Sequence, residues 1–321
     1  MFRTIVSRFA VAGLLGFFAP SAFAQEVSFA WTPSADTPQI VQAIDKSLWK
    51  ESGLAVKMVS FATGREALEA LIGGQVDFAS MAELPAVTGA MRQQKFAVIS
   101  ILSKYRGNRI IAKDIEIKSV RDLAGKKVAT TLGTNSHFAL DFEVQRAGIT
   151  VEVVNASPPD IVPALVRGDV DAAVMFPAFF PQAKRTLGAQ YRELITPDYV
   201  THMVLVGTAD VLEKRPEDVK KLLAGLLKAD GLVAANAAET QEAIVRVVGR
   251  AANLDAIREN WPSYSYKMTL DNELLTLMTR EGEWIAKRGL VKNVEATDKL
   301  FRSFISDKPM GSLDPGRVQV R

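Results

Sequence analysis

Short runs of β-forming residues alternate with segments of helical hydrophobic spacing from Val27 onward. The first predicted strands are 27–31, 56–61, 77–81 and 96–102. The helices predicted between them, where apolar residues recur every three or four positions, are 38–51, 66–72 and 84–93. This strand–helix–strand order predicts a parallel sheet with right-handed crossovers and helices packed on it.

The same order begins again after Asp122, which predicts a second α/β lobe. Its predicted strands and helices, the first helix being closed by Gly148, are 127–131, 136–147, 151–154, 161–167 and 171–176. Residues 70–81 also align without a gap to residues 164–175 and share Ala, Leu, Gly, Val, Asp, Ala and Met with them. The shared residues fit a helix end, a glycine turn and a buried strand, with chance similarity as the alternative.

After Tyr199, the β-rich run 200–207 is followed by helical patterns only, at 216–238, 239–252, 255–260 and 270–288. We therefore expect the chain to return to the first lobe and to pack these helices against it. Two apolar extended segments, 109–113 and 200–208, are the candidates for a two-strand hinge. The prolines and glycines beyond Ser306 predict a frayed end. The predicted fold class is α/β, with two lobes that each hold a mixed sheet flanked by helices.

Residues 1–24 have the pattern of a secretory signal. Arg3 and Arg8 lie at the charged start, 9–20 is almost wholly apolar, and Ala22-Phe23-Ala24 carries small residues where a signal peptidase cleaves. The apolar core of about 12 residues is too short for the roughly 20 that span a bilayer, so a membrane anchor fits less well. Cleavage after Ala24 would remove two arginines and lower the formal net charge from +3 to +1.

Composition excludes several classes of chemistry. The chain has no cysteine, which excludes disulfides, thiol nucleophiles and zinc–cysteine sites. Its 39 basic residues barely outnumber 36 acidic ones and form no basic run, so no nucleic-acid partner is expected. His137 and His202 have no nearby ligand spacing, so neither a metal nor another cofactor is predicted. No motif of a hydrolase, metalloprotease or nucleotide-binding enzyme is present, and the prediction is a protein without catalytic residues.

Several local sequences, taken in order, resemble one family of exported proteins. They are Trp31-Thr32-Pro33, Gly53-Leu54-Ala55-Val56, Gly74-Gln75-Val76-Asp77, Asp122-Leu123-Ala124-Gly125-Lys126-Lys127-Val128 and Gly168-Asp169-Val170-Asp171-Ala172. The chain resembles the periplasmic substrate-binding proteins of bacterial ABC importers, in the group for aliphatic sulfonates, taurine, nitrate and thiamine pyrimidine precursors. The similarity runs from about residue 27 to residue 240.

This resemblance implies a type II periplasmic binding fold that closes on a solute between its lobes. We expect a signal at 1–24, a discontinuous first lobe at 25–105 and 205–321, and a second lobe at 106–204. The implied protein is a periplasmic monomer that binds a small organic anion and delivers it to a membrane permease and its ATPase. The alternatives are an enzyme or binder for a thiamine pyrimidine precursor and a periplasmic sensory module. The family's precursor synthases carry a cysteine-rich motif, which this chain lacks.

Ligands of open α/β sheets bind beyond the carboxyl ends of the strands, where helix N-termini converge. In this chain those positions include Ser34 and Ser80, and the five residues that we expect around an anionic head group are Thr63, Arg65, Thr134, Asn135 and Ser136. Helix N-termini offer unpaired N–H groups and partial positive charge to such a group. The alternative is that the hydroxyl residues only cap helices and that Arg65 lies in solvent.

Four further residues complete the candidate site. Trp31 and Phe176 follow equivalent strands and could hold a flat or apolar part of a solute between them, with core packing as the alternative. Glu83 would suit an amino group on the ligand, although an acid at a helix start is also favoured for structural reasons. His202 lies on the predicted return crossing, where it would contact the ligand or stabilise the hinge.

Overall fold

The computed structural model describes residues 26–196, 198–249 and 252–320, so the predicted signal and its cleavage site lie outside the described residues. The strands are β1 Glu26–Trp31, β2 Ala55–Ser60, β3 Phe78–Ala82, β4 Phe96–Tyr105, β5 Arg109–Ala112, β6 Lys127–Thr130, β7 Glu152–Asn155, β8 Ala172–Val174, β9 Arg192–Ile195, β10 Thr201–Thr208 and β11 Tyr264–Ser265. The helices are α1 Pro38–Asp45, α2 Leu48–Glu51, α3 Gly64–Ile72, α4 Glu83–Met91, α5 Asn135–Ala147, α6 Pro158–Arg167, α7 Phe180–Leu187, α8 Ala209–Lys214, α9 Pro216–Ala235, α10 Ala237–Val248, α11 Leu254–Asn260, α12 Asn272–Lys287, α13 Asp298–Arg302 and α14 Lys308–Leu313.

The strands form two mixed sheets. The first has the order β11-β4-β10-β3-β1-β2, and the second has the order β7-β6-β8-β5-β9. In the first sheet β1 pairs in parallel with β2 and β3, whereas β10 runs antiparallel to β3 and β4. In the second sheet β6 pairs in parallel with β7 and β8, and β5 runs antiparallel to its neighbours. Helices cover both sheets, which confirms the predicted α/β class with two mixed sheets.

The repeated sequence forms the same structure in both sheets. Gly74 and Gly168 both have positive φ, +69° and +82°, which glycine adopts at low cost. Three residues later, the Asp77 carboxylate accepts a hydrogen bond from the Ser28 backbone N–H, and the Asp171 carboxylate accepts one from that of Lys127, both at 2.8 Å. Each aspartate therefore fixes the start of the neighbouring parallel strand, which is a physical reason for the repeated motif.

The chain crosses between the sheets from β4 to β5 and returns from β9 to β10. The two predicted hinge segments lie mostly within strands inside the sheets. The strand in each segment, β5 or β10, is hydrogen-bonded to a neighbouring strand on both sides. Asn108 joins the two crossings: its side chain donates to the Tyr199 carbonyl at 3.0 Å, and its carbonyl accepts from the Thr196 N–H at 2.8 Å. The boundaries 25–105, 106–204 and 205–321 stay a prediction.

Other sequence predictions need correction. The helix predicted at 38–51 is broken by Ser47, which has φ of +55°, and the Trp49 indole N–H then anchors α2 to the Leu222 carbonyl at 3.0 Å. The segment after β10 is not wholly helical, because β11 adds to the edge of β4. The end beyond Ser306 is packed rather than frayed, since Met310 is fully buried and Arg317 pairs with Asp230 at 2.6 Å.

Most of the apolar core lies around the first sheet, where α9, α10 and α12 join the helices of the N-terminal half. A smaller core under α6 and α7 covers the other face of the second sheet. None of the helices in the described ranges has the length and apolar composition needed to cross a membrane.

Candidate functional site

A cavity of about 250 Å³ lies between the two sheets, where strand ends and helix starts from both sides meet. The first sheet and its helices contribute Thr63 and Met81, and the second contributes Asn135 and Met175. Met81 and Met175 are the last residues of the two copies of the repeat. The repeated turn therefore delivers one flexible apolar side chain to the cavity from each side.

The N-terminus of α3 forms one part of the cavity wall. Thr63 is buried, and its hydroxyl accepts the Glu66 backbone N–H at 3.2 Å, so this side chain caps the helix as well as lining the cavity. A Cβ on Gly64 would lie 2.7 Å from the Met81 Cβ, so only glycine fits between the helix start and β3. The first N–H groups of α3 have no acceptor within the helix and lie at this wall.

The N-terminus of α5 forms the facing part of the wall, with Thr134, Asn135 and Ser136 all lining the cavity. The Thr134 hydroxyl donates to the Thr131 carbonyl at 2.7 Å and makes no capping bond to α5. The partial positive charge of this 13-residue helix therefore faces the cavity beside the N–H groups of its first turn. By contrast, α6 presents Pro158 and Pro159, which have no N–H and offer apolar surface.

Formal charge on the cavity wall is negative. No lysine or arginine belongs to the lining formed by the described residues, and Asp36 is its one acidic side chain. The Tyr264 hydroxyl donates to the Asp36 carboxylate, and the Asp36 backbone N–H donates to the Ser34 hydroxyl at 3.3 Å. Burial raises the pKa of Asp36, while its bond from Tyr264 opposes that increase.

The structure brings six of the eleven predicted site residues together at this cavity. They are Ser34, Thr63, Thr134, Asn135, Ser136 and Phe176. Trp31 and Ser80 are buried within the first sheet and do not line it. Arg65 is exposed and donates from Nη1 to the Leu132 carbonyl of the second half at 3.4 Å. A ligand-contact role for all eleven residues stays a prediction.

Glu83, which the sequence assigned to a ligand amino group, lies in a buried network behind the cavity. Its carboxyl group accepts hydrogen bonds from the Tyr199 hydroxyl and from the His202 backbone N–H, the latter at 2.8 Å. It also forms a hydrogen bond with the carboxyl group of Glu281. Burial raises the pKa of both acids, so the pair holds a proton and anchors the return crossing to α4 and α12.

His202 is buried beside two carboxylates that the sequence gave no reason to place near it. His202, Asp271 and Glu273 bring their potential ligand atoms within 4.8 Å of one another. Lys104 already pairs with both carboxylates, because its ammonium lies 2.8 Å from Asp271 and 2.6 Å from Glu273. Burial lowers the pKa of His202 to about 4, so the ring is neutral at pH 7. The arrangement is an ion-pair network around a lysine.

A second cavity of about 420 Å³ adjoins the first and shares Ser34, Asp36 and Tyr264 with it. Tyr266 and the exposed Arg185 belong to its lining. Tyr264 stacks on Tyr266 with ring centres 4.9 Å apart and also contacts Tyr105 at 4.4 Å. Asp36 and this aromatic wall separate the two spaces.

The site residues predicted from the sequence did not include Asp36, Tyr264, Met81 or Met175, which all line the cavity. The two methionines carried a signal, since they occupy the same place in both repeats directly after buried strands. Tyr264 carried none, because β11 is only two residues long and follows a helical region. Asp36 looked like an ordinary loop residue before α1.

Comparisons with known proteins agree with this architecture. A family model described as NMT1/THI5 like matches residues 35–240. The taurine-binding periplasmic protein of Escherichia coli (strain K12) is 31% identical over 225 residues, which cover 67% of this chain and 69% of that protein. The structure of the periplasmic aliphatic sulphonate binding protein SsuA from Escherichia coli superposes with a TM-score of 0.74 at 20% identity, covering 88% of this chain and 92% of SsuA.

An enzyme also shares the fold. The desulfurization enzyme DSZB superposes with a TM-score of 0.66 at 13% identity, covering 91% of this chain and all of DSZB. At these identities the likeness to SsuA and DSZB shows a common periplasmic-binding-protein fold and leaves the activity open.

Proposed function

The chain belongs to the NMT1/THI5-like family, and from that membership we propose that it is the periplasmic solute-binding component of an ABC importer. One observation carries the proposal: the N-termini of α3 and α5, one from each half of the molecule, meet at a single small cavity. A solute held there contacts both halves at once. It therefore binds the closed form better and shifts the population toward that form.

The ligand class that we propose is a small organic anion, with a sulfonate or carboxylate head group. Two helix N-termini supply partial positive charge and backbone N–H donors, which suit a compact head group with several oxygens. The rest of the wall is largely apolar, with Met81, Met175, Phe176 and the two α6 prolines. A short hydrocarbon stem would contact this surface. The taurine-binding relative supports the choice of a sulfonate.

Several further properties belong to the same proposal. Export would follow from the pattern of residues 1–24, with cleavage after Ala24. The two halves would be the lobes 25–105 with 205–321 and 106–204, and they would close about the two crossings that Asn108 joins. The partners would be a membrane permease and its ATPase, and the protein would act as a monomer.

Binding without catalysis is also part of the proposal. The specific observation that favours an enzyme instead is the shared fold of DSZB. Against it, the chain has no cysteine, and the polar side chains at the cavity are hydroxyl, amide and carboxyl groups that serve as caps or hydrogen-bond partners. Prolonged incubation with the bound solute, followed by mass spectrometry, separates the two functions, because an importer component returns the solute chemically unchanged.

Isothermal titration calorimetry of the purified protein tests the ligand class. The panel is taurine, ethanesulfonate, β-alanine, propionate, nitrate and a hydroxymethylpyrimidine. We expect at least one sulfonate or carboxylate to bind with a Kd on the order of micromolar, equivalent to about −8 kcal/mol. Small-angle scattering with that ligand should show a smaller radius of gyration. Binding of nitrate or the pyrimidine alone, or no binding by any organic anion, would overturn the proposed ligand class.

A further inference from the structure

We propose that the solute carries an aromatic tail, and that this tail lies in the second, larger cavity while the helix N-termini bind the acid group. The inference rests on the proposed function and narrows it from small organic anions in general to sulfonates or carboxylates that bear an aryl group. It also gives a role to the segment 176–181, which holds three phenylalanines and two prolines and contributes to the walls of both cavities.

The two cavities meet along one border. Ser34, Asp36, Phe179 and Tyr264 line both of them, so a solute that starts at the N-termini of α3 and α5 can extend past these residues into the second space. The second cavity has a volume of about 420 Å³, against about 250 Å³ for the first. A short anion would therefore leave the larger space without ligand.

Both halves of the molecule build the wall of the second cavity. The second half contributes the segment 176–181 and α7, and the first half contributes α10, α11, Tyr264 and Tyr266. The α10 and α11 side chains in this wall include Ile244, Val248 and Ile257, which are apolar. A tail held here would contact both halves, as the acid group does in the first cavity, and would add to the preference for the closed form.

The rings in this wall differ between the two halves. In the first half, Tyr264 stacks on Tyr266 with ring centres 4.9 Å apart, and Tyr266 contacts Trp261 at 4.3 Å, so these rings hold one another in place. In the second half, Phe176 and Phe179 are half-buried and have no aromatic partner among the described residues. Aromatic rings pack favourably in offset or edge-to-face pairs. A ligand ring between Phe179 and the two tyrosines would be such a partner.

The charged and polar groups orient the solute. The Asp36 carboxyl group disfavours an acid group at the border, so the acid group stays at the helix N-termini and the uncharged tail passes Asp36. In the second cavity, Asn253 already accepts an N–H of α11 at 2.9 Å, and Asn260 accepts from Arg109 at 3.2 Å. Arg185 is exposed, where water solvates its guanidinium. This wall therefore requires no charge on the tail.

The competing explanation is that the second cavity is only the open mouth of the cleft and disappears on closure. The contacts at its rim argue against this, because the two halves already touch there. Lys184 of α7 pairs with Glu259 of α11 at 3.0 Å, and Arg109 of β5 donates to Asn260 of α11. The space thus persists beside contacts that join the halves. If closure nevertheless removed it, acids with a ring would bind more weakly than short ones.

Matched acids test the proposal by calorimetry on the unaltered protein. The pairs are 3-phenylpropanesulfonate with ethanesulfonate and 3-phenylpropionate with propionate. We expect the phenyl-bearing member of at least one pair to bind about tenfold more tightly or better, because its ring leaves water and gains ring contacts. 3-Cyclohexylpropionate has a similar size without an aromatic ring, and it should bind less tightly than 3-phenylpropionate.

The variant Ala256→Phe places a large side chain in the second cavity, which Ala256 lines, and leaves the lining of the first unchanged. We expect it to lose most of the phenyl gain while ethanesulfonate binding stays within about threefold. Ala238→Phe is the matched control, because Ala238 is exposed on α10 and belongs to neither lining. Tyr266→Leu removes a ring from the wall without filling the space, and it decides the question if the melting curve shows that Ala256→Phe is unfolded.

The outcomes separate this inference from the proposed function. A phenyl gain below about tenfold in both pairs, a gain that survives the folded Ala256→Phe, or equal affinity for the phenyl and cyclohexyl acids would overturn the aromatic-tail proposal and leave the anion-binding function in place. Failure of all these acids to bind would reject the proposed function itself. Loss of the gain in Ala256→Phe or Tyr266→Leu, but not in Ala238→Phe, supports a tail in the second cavity.

Discussion

The side-chain amide of Asn135 donates to the hydroxyl oxygen of Thr201 at 3.3 Å, and both residues line the cavity. Asn135 opens α5 beside the second sheet, whereas Thr201 begins β10 of the first. The Thr201 hydroxyl oxygen also accepts from the Asn108 side chain at 3.1 Å. One hydrogen bond thus connects the anion-binding helix start to the crossing segments about which the two halves would close.

Asn135→Ala should weaken binding of the preferred anion by about tenfold or more, because it removes a polar group from the cavity wall. The melting temperature of the empty protein should change little, since the lost bond contributes only about 1 kcal/mol. Calorimetry and thermal denaturation measure the two effects. Asn155→Ala is the control, because Asn155 accepts the Leu132 N–H at 3.1 Å away from the cavity. Equal losses of affinity in both variants would contradict a direct role for Asn135.

Arg65 should contribute less to anion affinity than its charge suggests. Its guanidinium bonds the Leu132 carbonyl from outside the cavity, and its side chain passes 3.4 Å from the position of a Cβ on Gly133. We expect Arg65→Gln to change the Kd by no more than about threefold, as for an exposed polar contact. A loss of tenfold or more that disappears at high salt would instead indicate direct attraction of the anion.

Trp31→Ala should lower the stability of the folded protein more than its affinity for the ligand. Trp31 is only 4% exposed and belongs to the core of the first sheet, so removing the indole leaves a large cavity. The expected cost is about 3–5 kcal/mol of the free energy of unfolding, measurable by urea denaturation. Trp31→Phe should cost less, because the indole N–H has no hydrogen-bond partner among the described residues. A Trp31→Ala protein of unchanged stability but weak ligand binding would restore the predicted stacking role.

The sequence predicted the elements that local pattern controls. The repeated turn, the strands around it and the starts of α3 and α5 follow from glycine positions, capping residues and apolar spacing, and they supply Thr63, Thr134, Asn135 and Ser136 to the cavity. Trp31 failed to reach the cavity because the direction of a side chain at a strand end depends on the register of the sheet. Trp31 pairs with Ser60 of β2 and points into the core.

Contacts between distant segments lie beyond local pattern. Asp36 meets Tyr264 across 228 residues, and Glu83 meets Glu281 after α12 has returned to pack on α4. The sequence around Asp36 and Glu83 does not show that Asp36 lines the cavity whereas Glu83 is enclosed behind it. The expectation that Glu83 would line the cavity follows from that gap.

The buried pair Glu83 and Glu281 should make the folded protein less stable as the pH rises. Burial and the neighbouring Glu83 raise the pKa of Glu281 well above its ordinary 4.5, so the folded state keeps a proton that the unfolded chain releases. The stabilisation that this proton provides is fully present below the pKa of Glu281 in the unfolded chain. It is lost as the pH rises from there toward the higher pKa of Glu281 in the folded protein. The loss amounts to at most about 1.4 kcal/mol per pH unit for one proton.

Glu281→Gln should remove much of this dependence, because an amide can donate to Glu83 as the protonated acid does but does not titrate. Denaturation from pH 5 to pH 8 should therefore show the variant gaining stability relative to the unaltered protein as the pH rises. Glu239→Gln is the control: hydrogen bonds from Lys46 and Gln42 lower the pKa of Glu239, so its contribution to stability is constant from pH 5 to pH 8 and is lost only on further acidification. Its profile should therefore parallel that of the unaltered protein in this range. Parallel pH profiles for Glu281→Gln and the unaltered protein would show that the pair is not protonated in the folded state.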